Sequence, residues 1–93
     1  MNSIEPVLKN FKNYVNKNFK MIGYSVTNNK IVFNECKDDV VTFKFLCDDV
    51  CKCEDLLEIF RAFTAKYDIF YEHSKYSLNG HILLHVFKLF VSC

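Results

Sequence analysis

The sequence predicts a small α+β domain in which an antiparallel sheet of about five strands packs against two helices, in the order α-β-β-β-α-β-β. Three observations support this fold class. Two segments repeat apolar residues at three- and four-residue spacing, which is typical of amphipathic helices. Several shorter segments alternate apolar and polar residues, as strands with one buried face do. The chain has only 93 residues, so we expect one domain over residues 1–93.

The first helix is predicted over residues 3–19. Ser3 is a suitable N-cap, because its hydroxyl can accept a hydrogen bond from the first turn. Pro6 is tolerated there, since the first turn leaves backbone N–H groups unbonded. The opposite face of this helix is rich in lysine and asparagine. Its apolar face is formed by Ile4, Val7, Leu8, Phe11, Val15 and Phe19.

An antiparallel meander of three strands is predicted next, over residues 21–26, 30–36 and 40–47. Asn28 and Asn29 suit the first turn, because asparagine tolerates the left-handed conformation of tight hairpins. A three-residue loop before the third strand keeps the apolar residues of neighbouring strands on one face. In the third strand these residues are Val41, Phe43, Phe45 and Cys47.

The second helix is predicted to begin at the N-caps Asp48 and Asp49 and to end near residue 67. Acidic residues at its start and basic residues near its end both suit the helix dipole. The predicted apolar stripe consists of Cys53, Leu56, Leu57, Phe60 and Phe63.

A hairpin of residues 68–78 and 81–92 completes the predicted fold. Asn79-Gly80 is the strongest hairpin signal in the chain, and pairing outward from it places Ser74 opposite His85. Residues 82–91 are apolar on both faces, as expected of a central strand that is covered on both sides or that meets a partner. A C-terminal helix over the same residues is the alternative, because short apolar runs suit both structures.

Five cysteines, at positions 36, 47, 51, 53 and 93, indicate free thiols in a reducing compartment. Cys47, Cys51 and Cys53 are clustered, and with His81 and His85 they are the best candidates for a metal site. The spacing differs from the paired C-x-x-C knuckles of zinc proteins. We therefore predict structural thiols and neither a bound metal nor another cofactor.

The sequence contains no G-x-S-x-G, no glycine-rich phosphate loop and no H-E-x-x-H. His81 and His85 are expected on one face of a strand, with Glu72 on the same face of the paired strand, and we interpret them as polar surface. A domain of this size also has little room for a substrate pocket. We expect no enzymatic activity and no small-molecule substrate.

Charge is unevenly distributed along the chain. Residues 1–34 carry five lysines against Glu5, whereas residues 35–72 carry ten acidic and five basic residues. The net charge of +1 argues against a general nucleic-acid packaging protein. Nucleic-acid binding through the first helix remains the alternative function, and a solvated helix face is the simpler reading. The candidate residues are Lys9, Lys12, Lys17 and Lys20.

Protein binding is the leading interpretation. Ten phenylalanines and five tyrosines exceed what a small core easily hides. Residues 82–91 are the best place for the excess, and such a surface is usually covered by another protein or by a second copy of the chain. We predict an interface formed by Leu83, Phe87, Leu89 and Phe90.

The composition also indicates a source. Lysine outnumbers arginine eleven to one and there are nine asparagines, a bias typical of A/T-rich genomes. Small proteins with this bias are common in viruses and phages. We expect a viral or phage accessory protein that contacts a host or defence protein in the cytoplasm, including the cytoplasm of an infected host cell. No segment is apolar enough to span a bilayer, so no membrane contact is expected.

Overall fold

A computed structural model of the chain describes residues 4–28, 38–48 and 50–92. The elements are α1 (Glu5–Asn18), β1 (Lys20–Thr27), β2 (Asp39–Cys47), α2 (Val50–Lys66), β3 (Phe70–Asn79) and β4 (Ile82–Val91). The described strands form one antiparallel sheet in the spatial order β1-β2-β4-β3. The predicted α+β class is confirmed, with four strands in these residues instead of about five.

Helix α1 confirms the predicted periodicity, and Pro6 lies in its first turn. The predicted N-cap, Ser3, lies outside the described residues. The helix ends where Phe19 adopts an extended conformation, and the chain then enters β1 directly. The buried residues of α1 are Leu8, Phe11 and Val15.

Helix α2 confirms the predicted stripe, with three residues buried and two half-buried. Asp49, one of the two predicted N-caps, lies outside the described residues. After the helix, Asp68 has a φ of 53°, the left-handed conformation that glycine usually supplies at a helix end. No helix in residues 4–28, 38–48 and 50–92 is both long and apolar enough to cross a membrane. The stripe residues are Cys53, Leu56 and Phe60 (buried), and Leu57 and Phe63 (half-buried).

The predicted meander is wrong in its pairing, because β1 pairs directly with β2. Val26 lies opposite Val41, and Tyr24 lies opposite Phe43 with their ring centroids 5.1 Å apart. The predicted strand over residues 30–36 lies outside the described residues. The direct pairing unites the apolar faces of β1 and β2 on one side of the sheet, a long-range contact that local turn rules do not anticipate.

The hairpin of β3 and β4 confirms a strand over residues 82–91, but its register differs from the prediction by one residue. Gly80 has a φ of 51° and is the first of two loop residues, as in a type II′ turn. Leu78 adds a bulge to β3. As a result Lys75, and not Ser74, lies opposite His85. Because strand residues alternate between faces, this shift places His73 on the same face as His85.

The core lies between one face of the sheet and both helices. The rings of Phe60 and Phe87 stack with centroids 3.9 Å apart, and Phe11 meets Phe60 edge to face at 5.0 Å. Phe43 and Phe45 complete this aromatic cluster, and neither is exposed. We call this side of the sheet the covered face and the opposite side the open face.

Candidate functional site

The open face carries rows of side chains that cross-strand pairing places next to one another. Apolar residues occupy both ends of this surface, and charged residues lie between them. From one end to the other, the rows on β2, β4 and β3 are Val40–Phe90–Phe70, Thr42–Lys88–Glu72, Lys44–Val86–Ser74 and Leu46–Leu84–Tyr76.

Two aromatic side chains of β3 are exposed in these rows. Phe70 is 69% exposed and Tyr76 is 55% exposed. The ring of Phe70 lies against Phe90 of β4, with centroids 5.5 Å apart. Exposed aromatic residues are enriched at protein interfaces, because they bury a large area with few rotatable bonds. Strands β3 and β4 therefore form the candidate binding surface.

The structure separates the four predicted interface residues. Phe90 lies on the open face, where it is half-buried. Phe87 and Leu89 are fully buried in the core, so the interface prediction is corrected at these two positions. Leu83 is half-buried on the covered face, opposite Cys47. The reason is alternation: the odd-numbered residues of β4 point toward the helices.

A cluster of two cysteines and one histidine lies on the covered face, near the start of α2. Cys47 ends β2, Cys53 lies in the first turn of α2, and His85 lies on β4. Cys47 and Cys53 are paired as a disulfide with their Cα atoms 6.1 Å apart, which replaces the predicted free thiols. The two sulfurs and a ring nitrogen of His85 all lie within 4.8 Å of one another. All three residues are buried.

His85 also contacts His73 of β3. The Nδ1 atom of His85 lies 2.9 Å from Nε2 of His73, so one ring donates its N–H to the lone pair of the other. The Nε2 atom of His85 is buried and has no hydrogen-bond partner within the described part of the chain. Burial lowers the pKa of both histidines. The neighbouring His85 and then Lys75 lower the pKa of His73 further, and Lys75 also lowers the pKa of His85. These effects favour the neutral form of both rings.

The remaining candidates for metal binding or catalysis lie elsewhere. His81 is exposed in the β3–β4 turn. The side chain of Cys51 lies outside what the structure describes. Glu72 was expected to share a face with His85, but it lies on the open face opposite Lys88. The predicted grouping of His81, His85 and Glu72 is therefore wrong, because the bulge in β3 changes the register.

A cavity of about 360 Å³ opens beside Cys47, where the end of α1 approaches the start of α2. Its charged lining residues are three lysines and one aspartate, namely Lys17, Lys20, Lys52 and Asp48. Of the other predicted nucleic-acid-binding lysines, Lys12 lies over the ring of Tyr24, with its Nζ atom 4.5 Å from the ring centroid. The fourth predicted residue is Lys9, which is exposed on α1.

Comparison with models of known protein families, with curated proteins and with solved structures finds no match to this chain. Function is therefore inferred from the chemistry of the open face and of the covered face.

The sequence analysis missed Phe70 and Tyr76 as exposed aromatic residues of the open face, and His73 as a neighbour of His85. All three lie on β3, whose register depends on a bulge that turn signals do not reveal. The sequence contains a clearer indication that Cys47 and Cys53 lie close together. Cys47 and Cys53 were both expected on apolar faces, and only two residues separate the end of β2 from the start of α2.

Proposed function

We propose that this chain is a non-enzymatic assembly module that binds a second copy of itself through β3 and β4 on the open face. The observation that supports the proposal is the row pattern on these two strands, in which Phe70 adjoins Phe90 and Glu72 adjoins Lys88. A surface with this pattern is complementary to a copy of itself.

Two open faces packed against each other are complementary when a two-fold axis relates the copies. This axis lies between the copies, runs parallel to the strands and is centred between β3 and β4. Such an axis sets β3 of one copy against β4 of the other and keeps each row in place, so that every contact occurs twice. Each exposed aromatic ring of β3 then meets an apolar side chain, and each charge meets its opposite. The facing pairs between the copies are Phe70–Phe90, Glu72–Lys88 and Tyr76–Leu84.

The proposed interface is small, because only two strands of each copy overlap, and it does not bury an unpaired charge. Specific interfaces of the weakest class bury less than about 1,200 Å² in total, and we expect an overlap of two strands from each copy to fall within that range. Lys44 lies on β2, outside the overlap, so its charge remains hydrated and is not buried without a partner. The net charge of +1 produces little long-range repulsion. We therefore expect weak and reversible dimerisation.

Sedimentation velocity over a dilution series tests the proposal. The wild-type chain is expected to change from monomer to dimer as its concentration rises. Phe70→Ser should raise the dissociation constant by about tenfold or more, because two aromatic contacts are lost per dimer. Ile22→Ser is the matched control, since Ile22 is 52% exposed but lies on β1. A strict monomer at all concentrations, or equal weakening by both variants, contradicts the proposal.

Nucleic-acid binding is the second candidate function, supported by the three lysines at the cavity. Lysine side chains bind phosphate groups in a salt-dependent manner. Titration with DNA and RNA oligonucleotides at two salt concentrations tests this alternative. Binding that weakens with salt, that is lost in the Lys17→Glu/Lys20→Glu variant and that is retained in Lys9→Glu would support it. Absence of binding at low salt would remove it.

A further inference from the structure

We propose that Cys47, Cys53 and His85 form a site for one thiophilic metal ion of the Zn²⁺ class when the disulfide between the cysteines is reduced. This site lies on the covered face. It is therefore independent of the self-association proposed for the open face.

The donor atoms are those that Zn²⁺ prefers, two cysteine sulfurs and one imidazole nitrogen. They come from β2, α2 and β4, and all three lie within 4.8 Å of one another. Ligand atoms of a tetrahedral zinc site are about 3.5–3.8 Å apart, given the usual bond lengths. Once the sulfur–sulfur bond is broken, small side-chain movements bring the three atoms to these distances.

The buried nitrogen of His85 is an independent sign of a ligand. His85 is 2% exposed, and its Nε2 atom has no hydrogen-bond partner among the described residues. A buried polar atom without a partner is unfavourable, and native proteins rarely leave one unexplained. A metal ion bound at Nε2 satisfies this lone pair.

His73 would act as a positioning residue. When Nε2 of His85 binds a metal ion, Nδ1 of the same ring carries the proton. The 2.9 Å contact then becomes a hydrogen bond donated by Nδ1 of His85 to Nε2 of His73. Histidine ligands usually donate such a hydrogen bond, which fixes the tautomer and the orientation of the ring.

The surroundings also give access to the site. Cys47 lines the cavity to which Lys17, Lys20, Lys52 and Asp48 contribute. This cavity gives a reductant and a metal ion a route to the sulfur of Cys47.

Metal binding is linked to reduction by a low-molecular-weight thiol. Two molecules of this thiol reduce the Cys47–Cys53 bond, which yields two protein thiols and one molecule of the reductant's disulfide. Zn²⁺ then displaces the two thiol protons, which pass to solvent, and forms two Zn–S bonds and one bond to Nε2 of His85. We assign the fourth coordination position to water. Thiol–disulfide exchange with one molecule of the reductant's disulfide, together with two protons from solvent, re-forms the Cys47–Cys53 bond, returns two molecules of the reductant and releases the ion.

Competition between the reduced 93-residue chain and a chromophoric chelator for Zn²⁺ tests the site. The Cys36→Ser/Cys51→Ser/Cys93→Ser variant retains only Cys47 and Cys53. It is expected to bind one Zn²⁺ per chain when reduced and none when oxidised. Failure of the reduced variant to bind one ion overturns the assignment.

Substitutions in this background identify the ligands. Cys53→Ser and His85→Gln are each expected to weaken Zn²⁺ binding at least a hundredfold. His81→Gln is the matched control, because His81 is an exposed histidine in the neighbouring turn. The Zn²⁺ affinity of this variant should equal that of the unsubstituted background. Equal affinities in the His81 and His85 variants contradict the proposal.

A second measurement keeps the test decisive if His85→Gln unfolds the chain. His73→Gln retains all three ligands and removes the histidine that orients His85, so we expect Zn²⁺ affinity to fall about tenfold. Co²⁺ should give a thiolate-to-metal absorption band in this variant, and circular dichroism should show a folded chain. A folded His73→Gln chain without the band, or a band that persists in Cys53→Ser, excludes the proposed ligand set.

Discussion

The two faces of the sheet use the same strands for different purposes. On the covered face, β2 and β4 contribute Phe43 and Phe87, which are fully buried against rings from both helices. On the open face, β4 presents Phe90 next to the charged Lys88. Alternation of side chains lets one strand serve both purposes. Fold stability therefore depends mainly on the covered face, whereas the open face is accessible to a partner.

The largest expected effect is on the free energy of unfolding, when removal of a ring from the covered face is compared with removal of a ring from the open face. Phe87→Ala removes a ring that stacks on Phe60 at 3.9 Å, and we expect it to lower the free energy of unfolding by about 3–5 kcal/mol. Phe70→Ala removes a ring that is 69% exposed, and we expect a change within about 0.5 kcal/mol for the monomer. Urea denaturation at a dilute concentration measures both. Similar losses in the two variants would show that the faces do not differ as described.

The next effect concerns the disulfide on the covered face. Cys47 and Cys53 are six residues apart, and the entropy of closing so short a loop corresponds to about 2 kcal/mol of stabilisation. Reduction of the metal-free protein should lower the free energy of unfolding by about this amount. Addition of Zn²⁺ should restore part of the loss. Identical denaturation curves before and after reduction would argue against the pairing of these two cysteines.

Local sequence patterns predicted both helices and the face of β2 that points toward the core. The spacing of Leu8, Phe11 and Val15 identified α1 because an amphipathic helix must bury one stripe. Alternation identified β2 because its two faces meet different environments. These features depend on residues close together in the chain, and the structure confirms them.

Long-range pairing could not be read from the same patterns. The predicted meander placed residues 30–36 beside β2, whereas β2 lies between β1 and β4. The Asn79-Gly80 signal located the second hairpin, but the loop is Gly80-His81 and the bulge at Leu78 shifts the register. One residue of register determines which side chains face the core. For this reason the exposure of Phe70 and the proximity of His73 to His85 were missed.

The smallest expected effect concerns Asp68, which lies in the connection between α2 and β3. Asp68 adopts a φ of 53°, which glycine adopts without steric strain. We expect Asp68→Gly to raise the free energy of unfolding by about 0.5–1 kcal/mol. Ala62→Gly is the control, because glycine at this exposed position inside α2 should lower stability by about 1 kcal/mol. Thermal denaturation should shift in opposite directions for the two variants, and a shift in the same direction would refute the conformational argument.

The most direct test of self-association through the open face is a charge-exchange experiment by sedimentation velocity. Glu72→Lys and Lys88→Glu each place like charges opposite one another in the proposed dimer, so each variant alone is expected to remain monomeric where the wild type dimerises. An equimolar mixture of the two variants restores both opposite-charge pairs between the copies, and we expect it to form the mixed dimer. Circular dichroism should show that each variant is folded. A mixture that stays monomeric, or single variants that dimerise as the wild type does, would contradict the proposed interface.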